Sequence, residues 1–430
     1  GPTIMTGLSH LFKFKGHLLQ WLLRGLGVIV LGALFYRYLV HDGDFDVYWA
    51  ATFRFLHGLK VHIYEQNVFT YPTFASFLLL PVYPLGYSVG KILFFVVNVL
   101  ILVGAVRVCQ REILLETPAR IAIITISLLF SARSMLAVFN NQQTDILIFG
   151  LMVFGLAAYV RRPLAGVSLM ALAVALKANP LFMILLPAFK KRWSMVAVFL
   201  LVTVGLIAAP DIAKYAVTDT WTESEFTVPG SVLAKNDIVP QGYFRAEAGD
   251  QDLWGYLREH YAMTLSASPN GVRWWQDRDS KGNQSLYRIV ASHLGKAIPS
   301  NLVLLGLCAF FGLLLLGATR RQGDSIFVLG LLFYTAFVLI GPQSSKPHFI
   351  AFFGLLLFCW QDALLNRSWL KGICLALLSG LLGVKAVAGL LPAGPLARDL
   401  VGLAGFALWL YSYMLLMISG HRKPLSLTKT

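Results

Sequence analysis

The sequence predicts an all-α polytopic membrane protein of about 12 transmembrane helices, with juxtamembrane helices and one large loop on the outer side. Three observations predict it. Hydrophobic residues make up 57% of the 430 positions and charged residues only 13%, whereas a soluble domain carries about a quarter charged residues. The apolar residues fall in many separate runs, and the mean hydropathy is +0.68. Lys and Arg gather in short clusters between those runs. With no water to satisfy the backbone, only helices and closed barrels cross a bilayer. The weak ten-residue alternation that marks a barrel is absent. A soluble enzyme, a secreted disulfide scaffold and a disordered chain are all excluded.

The formal charge of +15 raises the question of nucleic acid. Of the 21 acidic residues, 11 fall between Asp211 and Asp279, while the cations sit between apolar runs. That distribution is the positive-inside pattern of a membrane protein, not a nucleic-acid footprint. Cys109, Cys308, Cys359 and Cys374 lie in or beside apolar segments without metal-type spacing, so neither a disulfide nor a zinc site is expected.

Apolar runs cover roughly 18–40, 88–108, 119–138, 144–160, 163–178, 180–189, 193–210, 300–318, 324–341, 348–365, 370–391 and 398–418. Several are shorter than the ~20 residues a spanning helix needs. The stretch 71–85 is apolar but holds Pro72, Pro81 and Pro84. Counting it as a crossing would put Arg107, Arg111 and Arg120 outside and invert every later loop. Leaving it out lets the basic loops alternate. With Lys13 and Lys15 inside, the inner loops hold Arg107, Arg111 and Arg120, then Arg161 and Arg162, Lys190 to Arg192, Arg320 and Arg321, and Arg367 with Lys371; the tail adds Arg422 and Lys423. The reading is twelve crossings with both ends cytoplasmic and a short helix or re-entrant segment at 71–87. Three parts follow: an N-terminal transmembrane module, 1–210, with a catalytic first loop at 41–87; a large outer loop, 211–299; and a C-terminal transmembrane module, 300–430. The large loop carries Trp221, Trp254, Trp274 and Trp275, which suits folding against the membrane surface.

This topology collects the unusual polar residues on the outer side. Asp42, Asp44 and Asp46 crowd the stretch HDGDFDVYWAATFRFLHG just after the first crossing, and Glu65, Asp145 and Asp399 join them. A carboxylate there can act as a general base or cap the helix that starts near Val47. The three aspartates together can attract a hard divalent cation, but no visible ligand cluster requires a metal and no cofactor is expected. Residues 45–56 read either as an amphipathic helix lying in the interface or as a helix packed on partners.

Arg37, Arg133, Lys177 and Lys346 lie at membrane depth or its outer edge. A charge there needs a named partner. A lipid-linked phosphate is anionic and sits at headgroup level; snorkelling to the interface is the alternative. Asn140, Asn141, Gln142, Gln143, Thr144 and Asp145 form a polar hinge between two helices. Its amides suit hydroxyl-rich ligands because each offers donors and an acceptor, while Thr144 or Asp145 equally suits a helix cap. His348, in GPQSSKPHFI, is a candidate phosphate ligand, proton donor or helix-start histidine. Asn283-Gln284-Ser285 matches a glycosylation sequon.

Taken in order, DFDVYWAATFRFLHGLKVHIY, YPTFASFLLLPVYPL, NQQTDILIFGLM, ALKANPLFMILLPAFKKRW, GNQSLYRIV and SSKPHF resemble glycosyltransferase family 87 over roughly residues 40–350. That family belongs to the C-type membrane glycosyltransferases and includes polyprenyl-phosphate-mannose-dependent mannosyltransferases. The resemblance implies that Asp44 is the catalytic base, with Asp46 two residues away as its rival. It aligns Tyr48 and Tyr71 with the first-loop and re-entrant signatures, and Gln143 and Asp145 with the amide-rich hinge. Lys177 and Pro180 match the K-x-x-P element, Asn283, Gln284 and Ser285 the long-loop signature, and His348 the S-x-x-x-H motif. The hinge departs from the Gly-Gln-x-Asn usual in the family, and one His stands where two are usual.

What the resemblance implies is a C-type glycosyltransferase fold that moves a single sugar, mannose in the closest pattern, from a polyprenyl-phosphate donor to a hydroxyl of a lipid- or glycan-linked acceptor. The displacement inverts the anomeric carbon. Asp44 deprotonates the acceptor hydroxyl, while Lys177, Arg133, His348 and Lys346 stabilise the departing phosphate. Tyr48, Tyr71, Gln143, Asp145, Asn283 and Gln284 line the substrates. The expected location is the bacterial inner membrane with the site facing the periplasm, in cell-envelope glycolipid synthesis, with membrane lipids and no nucleic acid as partners. A lipid-linked glycan polymerase or ligase, or a multi-pass transporter, are the alternatives; a transporter predicts polar breaks at mid-membrane.

Overall fold

The computed structural model describes residues 25, 27–56, 71–217, 283–294, 297–321, 326–341, 344–366, 368–383 and 395–419. Glu65, Arg367, the four loop tryptophans and the basic residues of both chain ends lie outside these residues. Every regular element among the described residues is helical. In chain order they are α1 (Gly27–Val40), α2 (Asp44–Leu56), α3 (Tyr87–Ile113), α4 (Arg120–Asn141), α5 (Asp145–Arg161), α6 (Pro163–Leu176), α7 (Leu185–Phe189) and α8 (Trp193–Val217). After the large loop come α9 (Leu286–His293), α10 (Ser300–Arg321), α11 (Ile326–Ile340), α12 (Phe353–Leu365), α13 (Trp369–Gly383) and α14 (Pro395–Ser419).

Each predicted apolar run carries helix. Among the described residues, six stretches are long and apolar enough to cross a membrane: Tyr87–Ile113, Arg120–Asn141, Trp193–Pro210, Ser300–Arg320, Lys346–Leu365 and Asp399–Ile418. The molecule is an all-helical polytopic membrane protein. Large apolar side chains such as Leu100, Ile121, Leu201 and Leu313 point outward, where lipid satisfies them. α11 lies at the centre, buried along nearly its whole length.

Part of the short runs is 3-10 helix. Asn179–Ile184 is a 3-10 segment of 6 residues followed by the 5 residues of α7, and it comes just after the 14 residues of α6. A 3-10 helix rises ~2.0 Å per residue and an α-helix ~1.5 Å, so the two stretches run about 20 and 21 Å. A second 3-10 segment, Lys346–Phe352, leads into α12. Both segments carry Pro near their start, Pro180 and Pro347.

Close packing in lipid relies on small residues. α5 and α6 form a hairpin about Arg162, and a Cβ on Gly166 would lie 2.3 Å from the Tyr159 backbone nitrogen. Farther along the bundle, the Trp409 indole of α14 donates to the Leu332 carbonyl of α11 at 2.9 Å.

The two ends of the bundle differ in charge. At one end, Arg111 and Arg161 both reach Glu112, Lys190 reaches the Thr319 carbonyl, Arg192 lies over the Tyr159 ring and Lys371 pairs with Asp362. The other end holds α2, the hinge after α4, Lys177 and the Lys346–Phe352 segment.

The stretch 71–87 makes two short 3-10 turns, Thr73–Phe77 and Tyr83–Leu85, with Pro72 and Pro84 at their starts. Proline breaks the α-helical bond pattern, so no long helix forms there. α2 packs on these turns and on α3. Phe45, Tyr48, Ala51 and Phe53 are fully buried, Trp49 stacks on Tyr83, and the Thr52 hydroxyl donates to the Ser76 carbonyl. Of the two readings of 45–56, the structure has the partner-packed helix.

Candidate active site

α2 begins at Asp44, so Asp44 and Asp46 both lie in its first turn. Two residues on an α-helix stand about 200° apart, and the two carboxylates face opposite ways. Asp46 is buried against α3, where it accepts from the Tyr87 hydroxyl. Lys91, one turn on, donates to the His41 carbonyl at 2.8 Å and lies 3.4 Å from the Tyr87 hydroxyl. Asp44 faces the hinge and accepts from the Tyr71 hydroxyl at 3.2 Å. The Gln143 amide also donates to it. Asp44 remains partly exposed. Asp42, Asp44 and Asp46 do not converge, and among the described residues no three His, Cys, Asp or Glu side chains stand close enough to hold a metal ion.

Burial pushes the Asp44 carboxyl above the usual carboxylate range, and Gln143, the Lys177 ammonium and Tyr71 pull it only partly back. A base tuned upward in this way holds a proton more firmly once it has taken one. Burial also raises Asp46 and holds the Tyr48 and Tyr71 phenols in their protonated form.

The hinge is a left-handed turn. Gln142 adopts φ 55°, and its amide donates to the carbonyls of Tyr38 and His41 at 2.8 and 2.6 Å, tying the end of α1 to the end of α4. Gly43 lies against this turn. A Cβ there would stand 2.9 Å from both the Asn141 carbonyl and the Gln142 side chain. Thr144 occupies the N-cap of α5 without capping it; its hydroxyl lies 3.4 Å from that of Tyr48, whose ring is 5.0 Å from that of Tyr71.

Beneath Asp44 lies a buried ion cluster. The Lys177 ammonium, just past the end of α6, meets both oxygens of Asp145 at 3.0 and 2.9 Å and lies 5.7 Å from the centre of the Tyr71 ring. Lys177 is 8% exposed and Asp145 3%, so each neutralises a charge that neither site could hold alone. His348 Nε2 stands 3.7 Å from Asp145 Oδ1. On its other side, His348 Nδ1 accepts from the Ser345 backbone N–H at 3.0 Å, closing a capping box at the start of the 3-10 segment. His348 is thus both the helix-start histidine and a member of the cluster.

The remaining expected residues fall elsewhere. Arg133 stands nine residues before Gln142 on α4, about 13 Å of axial rise below the hinge, half-buried and without an ion pair among the described residues. Lys346 is exposed at the first position of the 3-10 segment. Arg37 is exposed on the last turn of α1. Asn283 and Gln284 are buried; Asn283 Oδ1 accepts from the N–H groups of Ser285 and Ser344 at 3.0 and 3.1 Å, and the Gln284 N–H donates to the Ser344 carbonyl at 2.6 Å. Asn283 is 2% exposed, which leaves no room for a glycan.

Lys91 and Ser345 carried no assigned role in the sequence, and Gln142 was read only as one of the hinge amides. Lys91 stands inside an apolar run, where its charge was the available signal. The αL residue Gln142 sits beside the assigned Gln143. Ser345 is placed by the S-x-x-H spacing, which is that of a capping box with His at the fourth position.

The fold and these side chains define a membrane-embedded protein with a tuned carboxylate and a buried ion cluster at one end. The profile of glycosyltransferase family 87 matches residues 69–342, well over half of the chain. The chain belongs to that family and is a membrane glycosyltransferase. The match contains Tyr71, the hinge, Lys177 and Asn283; Asp44 lies before it and His348 after it. No curated protein and no solved structure matches the chain.

Proposed function

We propose that the protein transfers a single sugar, mannose by its family pattern, from a polyprenyl-phosphate donor to a hydroxyl of a lipid- or glycan-linked acceptor. The observation that carries this reading is the juxtaposition of Asp44, partly exposed and raised by burial, with the buried Lys177–Asp145–His348 cluster across the Tyr71 ring. Asp44 removes the acceptor proton as the oxygen attacks the anomeric carbon. The bond to the donor phosphate breaks with its electron pair, and the configuration inverts.

The departing phosphate gains negative charge and needs cations. An ammonium has three donors. Two of those on Lys177 go to Asp145, which leaves one for a phosphate oxygen, with His348 beside it and Lys346 at the exposed rim. Arg133, lower on α4, is suited to an anionic group of a lipid lying along the bundle. Gln143 has its Oε1 buried without a hydrogen bond among the described residues, an acceptor suited to a sugar or acceptor hydroxyl. Tyr48 and Tyr71 give an apolar wall with hydroxyl tips.

The basic end of the bundle supports the cytoplasmic side by the positive-inside rule, and the site end then faces the periplasm of a bacterial inner membrane. Twelve crossings, a C-type arrangement, modules at 1–210 and 300–430 and a periplasmic loop at 211–299 complete this reading.

The test is direct. Purified protein is incubated with a panel of polyprenyl-phosphate sugars and total membrane lipid, and product masses are read. A product one hexose heavier supports the reading. A jump of many sugars assigns a polymerase or ligase instead, and no product with any of these sugars rejects the polyprenyl-phosphate donor.

A further inference from the structure

We propose that Asn283 is a positioning residue for His348, so that the end of the large loop sets the geometry of the buried cluster. The large loop returns to the bundle at Asn283-Gln284-Ser285, all buried. Asn283 Oδ1 holds the Ser344 N–H at 3.1 Å, and the Gln284 N–H holds the Ser344 carbonyl at 2.6 Å, so Ser344 is gripped on both backbone faces. The next residue, Ser345, donates its N–H to His348 Nδ1 at 3.0 Å, with its hydroxyl at 3.1 Å. An Nδ1 that accepts leaves the proton on Nε2, the nitrogen that stands 3.7 Å from Asp145.

The path from Asn283 to His348 therefore runs through two hydrogen bonds and one covalent step, and the 3.7 Å approach of Nε2 carries it to Asp145. The anchor is stiffened from behind. Ser285 caps α9 by accepting from the Arg288 N–H, and Arg288 and His293 both bind Asp399 of α14. A buried side-chain oxygen that accepts two backbone N–H groups fixes a loop from behind the site. This assigns Asn283 a role distinct from the substrate contact its motif implies.

The inference rests on the transferase reading for its kinetic arm. Full-length protein is assayed with polyprenyl-phosphate mannose and total membrane lipid as Asn283→Ala, His348→Ala and the double variant. N283A should lower kcat by about tenfold to a hundredfold, the usual cost of a displaced catalytic group. The double variant should be no slower than H348A alone, because both changes remove one function. N283D keeps both accepting contacts and should restore most of the rate. Losses that multiply, or an N283A enzyme at the wild-type rate, would overturn the proposal. Should N283A not fold, Asn283→Ser, too short to reach Ser344, takes its place. If the wild type transfers nothing from this donor, the transferase reading fails, and labelling of His348 with diethyl pyrocarbonate decides the positioning claim alone. Labelling should be about two- to tenfold faster in N283A or N283S, as expected for a lost hydrogen bond; an unchanged rate would reject it.

Discussion

The Lys177 ammonium is held by both carboxylate oxygens of Asp145, at 3.0 and 2.9 Å, across 32 positions of sequence and away from water. Removing either partner strands the other. Asp145→Leu or Lys177→Met alone should cost about 3–5 kcal/mol, while the double replacement should regain most of that loss. Thermal unfolding of the purified variants in one detergent measures it. Equal melting temperatures for single variants and wild type would show that the pair is not formed.

Asp44 and Asp46 predict opposite outcomes. Asp44→Asn keeps the shape and the contacts of the α2 start but removes the base, and transfer should fall by about 10²–10⁴-fold. Asp46→Asn keeps an acceptor for Tyr87 and should lower stability by about 1–3 kcal/mol while retaining most of the transfer rate. Initial rates on the same donor compare them. Loss in D46N with activity in D44N would exchange the two roles.

The pH profile carries a sign. Transfer needs ionised Asp44, so the rate is lost as pH falls through the raised pKa, and the acid limb should lie above the ~4 of an ordinary aspartate. Tyr71 donates to the carboxylate and favours its ionised form. Tyr71→Phe should therefore move the acid limb to still higher pH. A limb that stays in place would remove Tyr71 as a partner of the base.

Gly43→Ala tests the seam between the first loop and the hinge. The added carbon would meet the Asn141 carbonyl, which is backbone and cannot swing aside. Overpacking of this kind costs about 1–3 kcal/mol, and the displaced α2 start should also lower the transfer rate. Full stability and full rate in G43A would show that the two segments are not in register.

The fold was legible because lipid allows few solutions. Each apolar run had to become helix, and the three prolines of 71–85 kept that stretch from continuing as one. The length of Asn179–Phe189 was not legible, since nothing in an eleven-residue run announces a 3-10 rise. Among site residues, Asp44, Tyr71, Gln143, Asp145, Lys177 and His348 were named from order and motif. Their pairing was not, because side-chain partners 27 or more positions apart leave no trace in spacing. Asp44 and Asp46 became distinguishable only once α2 was seen to start at Asp44, which fixes their opposite directions. Arg133 and Asn283 carried the right residue types, but depth along α4 and burial against Ser344 are properties of the folded chain.

As the proposed base of a lipid-donor transferase, Asp44 should be indispensable to transfer. Wild type and D44N, matched for melting temperature, are given polyprenyl-phosphate mannose labelled in the sugar, with membrane lipid as acceptor, and the label is followed by mass. Label should appear in a product one hexose heavier for wild type and almost none should appear for D44N. Label passing to the acceptor at equal rates in both proteins would contradict that role.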